Sequence, residues 1–407
     1  MCAKKFEFPD PVLLTTTEEV ARICAKLKLE PYVTIDTEFV REKTYWPELC
    51  LVQLSGTEDV VLIDTLAPGL DLSPLSDLLA APDCIKVFHA ARQDLEIFLH
   101  LFDQLPRSIF DTQVAAMVAG FGDQVGYDSL VGAITGRTID KAHRFSDWSA
   151  RPLTPAQIAY AAADVTYLRV VYESLHQQLK EQGRLRWADA EQAILTEETT
   201  FRPDPRRLWE KLKARTSNRR MLGVLREIAA WREGAAQEAD IPRQRIIRDE
   251  SLLEIAAIRP TDTDGLSRVR GVTRGFAEGR MGAGLLAAIR AGLDLPEGAL
   301  PKAPSKSDKA RPSAALVAML RVLLAAKCEE HGVAPKLVAS ADDLDRIALA
   351  ERDVSALKGW RKELFGLDAL ALVRGEIALA VVDGQVMIKP MAGEIFSDVA
   401  SGQDVAE

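Results

Sequence analysis

Residues 32–55 read YVTIDTEFVREKTYWPELCLVQLS, and their first eight residues are β-branched and aromatic enough to predict a strand. Asp36 and Glu38 lie two residues apart near the end of this strand. Side chains two apart on a strand project from the same face, so these carboxylates are expected side by side. Like charges so placed repel unless a cation lies between them, which favours a hard divalent metal such as Mg²⁺. A strand that runs into solvent with two hydrated acids stays open as the alternative.

The composition indicates a multidomain globular protein. A chain of 407 residues exceeds one ordinary core and predicts two to four domains, and 47% hydrophobic with 27% charged residues is typical of soluble proteins. We find no apolar run long enough to span a bilayer and no signal-peptide core, so no membrane attachment is expected. Five scattered cysteines without a Cys-x-x-Cys pair favour reduced thiols in the cytoplasm over a zinc site.

The charge is unevenly distributed along the chain. The net charge of −9 argues at first against a nucleic-acid partner. Residues 201–300, however, contain 19 Lys and Arg against 14 Asp and Glu. An acidic body with a basic middle is compatible with a protein that holds cations in one place and a polyanion in another.

The first part of the chain alternates predicted strands with predicted helices. Three strands close enough for hairpins, followed by strands that alternate with helices, predict a mixed five-stranded sheet covered by helices. The predicted strands are 32–39, 49–55, 60–64, 84–89 and 108–110, and the predicted helices are 72–80, 91–101, 112–119, 128–135 and 154–182.

After residue 201 the sequence predicts helices without strands. A Pro-, Ser- and Lys-rich linker at 301–313 separates two helical units, and segments near Ile241 and Val333 occupy corresponding places in them. This indicates a weak internal duplication. The predicted domains are 1–200, 201–300 and 314–407.

Two further clusters contain residues suited to chemistry. Asp94 lies in the first turn of a predicted helix after a strand, where the helix dipole favours a carboxylate. Tyr160 and Asp164 are four apart on a predicted helix and therefore face the same way. Taken singly, Asp94 could be an ordinary acid at a helix start, and Tyr160 a core residue beside an exposed Asp164.

Taken together, these residues resemble the three motifs of the DEDD exonuclease superfamily. Asp36 and Glu38 on a strand, Asp94 at a helix start and Asp164 on a late helix match those motifs in order and setting. Tyr160, four residues before the last acid, resembles the DEDDy branch.

The sequence around these motifs indicates one family within the superfamily. Residues 37–53 and 147–153 resemble the bacterial ribonuclease D family in particular, and the helical units resemble its HRDC (helicase and RNase D C-terminal) domains. The resemblance covers nearly the whole chain and is strongest over 30–170. It departs at Arg92 and Gln93, where the family has smaller or acidic residues.

The resemblance implies a fold and an activity. It implies an RNase H-like α/β exonuclease domain followed by two all-α HRDC-like domains. The activity would be that of a 3′–5′ exoribonuclease that releases 5′-mononucleotides, with tRNA precursors as substrates and tRNA 3′ maturation as the role. No obligatory protein partner is evident. A DNA-directed 3′–5′ exonuclease and a catalytically silent nucleic-acid-binding adaptor remain as alternatives.

The resemblance also implies roles for the motif residues. Asp36, Glu38, Asp94 and Asp164 would bind two Mg²⁺ or Mn²⁺ ions, which activate water and stabilise the leaving 3′ oxygen. Asp36 would bridge both ions, and Tyr160 would orient the attacking water.

Five further residues are candidates for RNA contacts. Phe39 could wedge against the terminal bases and His89 could contact a phosphate, although a core or supporting role is equally open for both. In the basic middle of the chain, phosphate contacts are expected from Arg243, Arg245 and Arg248, and a solvated helix face is the alternative for each of them.

Overall fold

The computed structural model describes residues 7–140, 142–302 and 311–391. Most of the predicted linker and the chain after residue 391 lie outside the described residues. The described chain divides into two compact units, each discontinuous in sequence. The first unit comprises 7–111, 135–172 and 192–302, and the second comprises 112–134, 173–191 and 311–391.

A mixed sheet of six strands forms the centre of the first unit, with the order β1-β4-β3-β2-β5-β6. The antiparallel pairing of β2, β3 and β4 is as predicted, and the other neighbours pair in parallel. The strands are β1 Val12–Leu14, β2 Tyr32–Val40, β3 Glu48–Ser55, β4 Val60–Asp64, β5 Ile85–Phe88 and β6 Ile109–Asp111.

The prediction of five strands is wrong by one, because β1 was missed. This strand has three residues, of which two are exposed, and it follows Pro11 directly. A segment so short shows no alternation of polar and apolar residues that a sequence pattern could reveal. It is fixed by its parallel pairing with β4.

Helices cover both faces of the sheet. Val33 and Ile35 belong to a buried cluster with residues of α1, α2 and α3. On the other face, Leu51 and Leu62 pack with Ala161 of α6. The helices up to residue 192 are α1 Thr17–Leu27, α2 Ser73–Leu79, α3 Arg92–Phe102, α4 Thr112–Ala119, α5 Tyr127–Thr135, α6 Pro155–Glu181 and α7 Leu185–Gln192. Of these, α4, α5 and α7 lie wholly or mainly in the second unit.

The predicted first helical domain forms a bundle around α8. Asn218 caps this helix by accepting a hydrogen bond from the N–H of Met221. Helix α13 packs closely on α8, since a Cβ added at Gly292 would lie 2.5 Å from Val224 Cα. The helices are α8 Arg219–Glu238, α9 Arg243–Ile246, α10 Asp249–Ile258, α11 Thr263–Ser267, α12 Arg274–Glu278 and α13 Arg280–Leu293.

The C-terminal part of the second unit repeats the order of a long helix, a one-turn helix and a medium helix. Its helices are α14 Ala314–His331, α15 Pro335–Val338, α16 Ala341–Ala348, α17 Gly359–Arg361 and α18 Leu367–Val373. Among the described residues, none of the helices combines the length and apolar character needed to cross a membrane.

The absence of strands predicted after residue 201 is wrong. Strands β7 Ile377–Val382 and β8 Gln385–Pro390 form an antiparallel hairpin. Its turn is Asp383-Gly384, both with positive φ, as a two-residue hairpin turn requires.

Candidate active site

Three carboxylates converge where α6 crosses the sheet. Oxygen atoms of Asp36, Glu38 and Asp164 all lie within 4.8 Å of one another. Strand β2 supplies the first two from one face, because they are two residues apart, and α6 covers that face. A donor set made only of carboxylates suits Mg²⁺ or Mn²⁺ better than a softer metal.

The carboxylates raise one another's pKa values. Burial raises the pKa of Asp36 to about 6. Burial and the charges of Asp36 and Asp164 raise the pKa of Glu38 to about 10. Burial and the charge of Asp36 also raise the pKa of Asp164 well above its usual range. The ionised cluster is therefore unfavourable unless a cation compensates it, so the residues fit a divalent metal.

Asp94 interacts electrostatically with Asp36 and Glu38. It is buried in the first turn of α3, and Thr37 Oγ1 donates a hydrogen bond of 2.5 Å to its Oδ1. Burial and the charge of Asp36 raise its pKa. The start of α3 is fixed by Asp111, which accepts hydrogen bonds from the N–H groups of Ala90 and Ala91.

Tyr160 lies one turn before Asp164 on α6, and its hydroxyl donates a hydrogen bond to that carboxylate. Burial and the charges of Asp164 and Glu38 raise the pKa of Tyr160 above its usual range. The phenol is therefore protonated at neutral pH, and while its O–H donates to Asp164 its oxygen can accept a hydrogen bond from a neighbouring group. Its ring packs near Trp148, with centroids 6.0 Å apart.

Sequence reasoning missed two residues that act on the site. Thr37 lies between the two acids of the first motif, and its hydroxyl holds Asp94. Arg144 is exposed in a loop, and its charge opposes the rise of the pKa of Glu38 and of Asp164. Loop arginines follow no periodicity, so only the three-dimensional structure could identify Arg144.

The proposed RNA contacts of Phe39 and His89 stay predictions. Phe39 is half-buried and packs against the core on the α1–α3 side of the sheet, which agrees with the alternative core role. His89 follows β5 directly and is half-buried.

Arg243 is engaged within the protein. Its Nη2 donates to Oε1 of Glu233, a buried residue of α8, at 2.7 Å. The hydroxyl of Tyr45, from the segment between β2 and β3, donates to the same Oε1 at 2.5 Å. Asp240 Oδ1 accepts hydrogen bonds from the N–H groups of Tyr45 and Trp46. Arg243 thus helps to fix the β2–β3 connection to the helical bundle.

Arg245 and Arg248 are placed differently. Both are exposed, and together with Arg270 they line a pocket of about 670 Å³. Glu250 and Glu254 also line it. The predicted phosphate contacts of Arg245 and Arg248 therefore share one surface, which Arg243 does not line.

Comparison with known proteins agrees with this geometry. A family model described as 3′-5′ exonuclease matches residues 11–180, and an HRDC domain model matches 221–289. The chain is 64% identical over 376 residues to the ribonuclease D of Gluconacetobacter diazotrophicus, covering 92% of this chain and 96% of that protein. It is 63% identical over 374 residues to the ribonuclease D of Granulibacter bethesdensis, covering 91% and 95%.

A solved structure resembles most of the chain. The crystal structure of Escherichia coli RNase D, described as an exoribonuclease involved in structured RNA processing, superposes with a TM-score of 0.76 at 31% identity. The match covers 91% of this chain and 99% of the E. coli chain.

Proposed function

The chain belongs to the ribonuclease D family of 3′–5′ exoribonucleases, and on that basis we propose that it trims the 3′ ends of structured RNA by two-metal hydrolysis, releasing 5′-mononucleotides. Precursors of tRNA are the proposed substrate class, and tRNA 3′ maturation is the proposed role. The observation that carries the proposal is the convergence of Asp36, Glu38 and Asp164. A cytoplasmic location is also proposed, in keeping with the four free cysteines of the described chain.

The proposed metal ligands are the four motif acids. Asp36, Glu38 and Asp164 would hold one divalent ion, and Asp94, whose pKa the charge of Asp36 raises, would help to hold a second. When bound, the ions supply an activated water nucleophile and stabilise negative charge on the leaving 3′ oxygen. Thr37 keeps the Asp94 carboxylate in one orientation through its hydrogen bond.

Tyr160 contributes by positioning in this proposal. Its hydroxyl is held by Asp164, so a water beside that carboxylate can bond to the phenol oxygen in a fixed orientation. A raised pKa excludes the phenolate as a general base near neutral pH. The residue therefore orders the attacking water while the proton leaves by another acceptor.

The proposed reaction can be tested with RNA labelled at its 5′ end. With Mg²⁺ or Mn²⁺ the protein should shorten the RNA stepwise from the 3′ end, and a chelator should stop the reaction. A DNA strand of the same sequence serves as the control substrate. Equal or faster degradation of DNA would favour the DNA-directed alternative, and RNA binding without hydrolysis would favour the adaptor.

The proposed RNA-binding surface can be tested through its salt dependence. Each phosphate contact on a single strand contributes about 0.7 to the slope of log affinity against log salt. Replacing Arg245 and Arg248 with Ala should therefore flatten that slope by about 1.4. The matched control replaces Arg274 and Arg280, which are exposed on other helices of the same bundle. If the two double variants have equal slopes, Arg245 and Arg248 do not contact RNA phosphates.

A further inference from the structure

A fully buried glutamine lies among the apolar residues of β3. Gln53 is 0% exposed, and neither its Nε2 nor its Oε1 has a hydrogen-bond partner among the residues that the structure describes. Its neighbours Val52 and Leu54 are apolar and equally buried. An unpaired buried polar group destabilises the fold, so an amide at this position calls for a compensating role.

The strand register places Gln53 beside the site. Gln53 pairs directly with Asp36 across β2 and β3. Directly paired residues of antiparallel strands project from the same face, with Cβ atoms about 4.5–5.5 Å apart. On its other side Gln53 pairs with Leu62, which packs against Ala161 of α6. The amide therefore lies in the layer between the sheet and α6, which also contains Asp164.

We propose that Gln53 is a positioning residue for the metal site and that its Nε2–H donates to the Asp36 carboxylate when that carboxylate binds a metal ion. The inference rests on the proposed function. A hydrogen bond from the amide fixes the orientation of the carboxylate, as outer partners do for metal ligands. An apolar side chain could fill the same volume but could not donate this bond.

The alternative is that Gln53 only fills space in the core, and Gln53→Met separates the two accounts. Methionine has a similar length and no N–H donor, so it removes the unpaired amide while keeping the packing. In the metal-free protein we expect an unchanged or higher unfolding temperature. The dissociation constant for Mn²⁺, measured by calorimetry, should rise by about 10–100-fold. The turnover of labelled RNA should fall, and excess Mn²⁺ should partly restore it.

Two further variants complete the test. Leu54→Met changes a buried residue on the opposite face of β3 and should leave Mn²⁺ binding unchanged. Gln53→Asn keeps the amide but withdraws it by one methylene, so it should also weaken Mn²⁺ binding even if Gln53→Met fails to fold.

The outcomes distinguish this inference from the proposed function. A Gln53→Met or Gln53→Asn protein that binds Mn²⁺ as tightly as the wild type would overturn the role of Gln53 while leaving the nuclease proposal intact. A wild-type protein that neither binds Mn²⁺ nor hydrolyses RNA would overturn the proposed function itself.

Discussion

Two glutamates in the first unit, Glu233 and Glu38, have contrasting surroundings. Glu233 on α8 is accompanied by Arg243 and Tyr45, and their hydrogen bonds outweigh burial and lower its pKa. Glu38 on β2 is accompanied by further acids, and burial with their charges raises its pKa to about 10. Burial alone therefore does not define the electrostatic state of an acid.

The two clusters have different roles in the protein. The charge of Glu233 is neutralised within the protein, so this cluster joins the β2–β3 connection to α8 and needs no further partner. The charges around Glu38 are not balanced in this way, so the folded chain holds a site that a divalent cation would stabilise. Disrupting the first cluster should harm stability, and disrupting the second should harm activity.

The largest effect is expected for Asp36→Asn. Removing the carboxylate shared by the proposed metal positions should lower turnover by at least about three orders of magnitude, since metal ions contribute several kcal/mol to the transition state. The metal-free variant should also be more stable than the wild type, by on the order of 1 kcal/mol, because one repelling charge is removed. Turnover assays and thermal unfolding measure the two effects.

Asp64→Asn is the matched control for that variant. Asp64 is another acid of the sheet, and it is buried, but Arg151 donates to both of its carboxylate oxygens at 2.9 and 2.7 Å. This variant should lose up to about 3 kcal/mol of stability and keep its activity at a temperature where it is folded. Equal losses of activity in Asp36→Asn and Asp64→Asn would contradict the distinction between acids that an arginine neutralises and acids of the metal site.

A smaller effect is expected for Tyr160→Phe. Loss of the hydroxyl should slow turnover by about one to three orders of magnitude, the range of lost positioning or proton-transfer effects. The affinity for RNA should change little, since the phenol acts on water beside Asp164 in the proposal. Unchanged turnover would return Tyr160 to a role in core packing.

Arg243→Ala tests the neutralised cluster. It should destabilise the protein by about 2–3 kcal/mol, below the full cost of a broken buried pair because the Arg243 side chain is 44% exposed. Arg274→Ala, at a surface pair with a side chain 80% exposed, should change stability by less than about 0.5 kcal/mol. If Arg243→Ala weakens RNA binding without loss of stability, Arg243 is instead a phosphate contact.

The smallest effect concerns pH. Because the folded pKa of Asp36 is raised to about 6, the folded protein retains a proton that the unfolded chain releases near pH 4. The stability of the metal-free protein should therefore fall by about 1 kcal/mol between pH 5 and pH 6. In thermal unfolding, the decline of stability from pH 5 to pH 6 should be smaller for Asp36→Asn, and smaller for the wild type with saturating Mg²⁺. An equal decline in all three samples would place its source elsewhere.

Local periodicity was enough to predict which side chains lie next to each other within one element, whereas the resemblance to the DEDD exonucleases was needed to bring the elements into one cluster. A spacing of two on a strand brings Asp36 and Glu38 together, and a spacing of four on a helix aligns Tyr160 with Asp164. The antiparallel order of β2, β3 and β4 also followed from their short connections. The hairpin after residue 376 could have been found, since Asp383-Gly384 is a strong turn signal.

Other features depend on contacts between residues distant in sequence. An arginine looks the same in sequence whether it meets RNA or a carboxylate, so the pairing of Arg243 with Glu233 and Tyr45 could not be predicted. The same holds for Gln53, whose unpaired amide becomes visible only when the strand register and burial are known.

Whether Asp36, Glu38 and Asp164 bind a divalent metal can be measured by calorimetric titration of the protein with Mn²⁺ near pH 7 in buffers of different ionisation enthalpy. Because the pKa of Glu38 is raised to about 10, metal binding should displace at least one proton, so the measured heat should depend on the buffer. Asp36→Asn should weaken binding strongly, and Asp64→Asn should not. If the wild-type protein binds no Mn²⁺, or binds it without releasing a proton and equally well after Asp36→Asn, the three carboxylates are not the metal site.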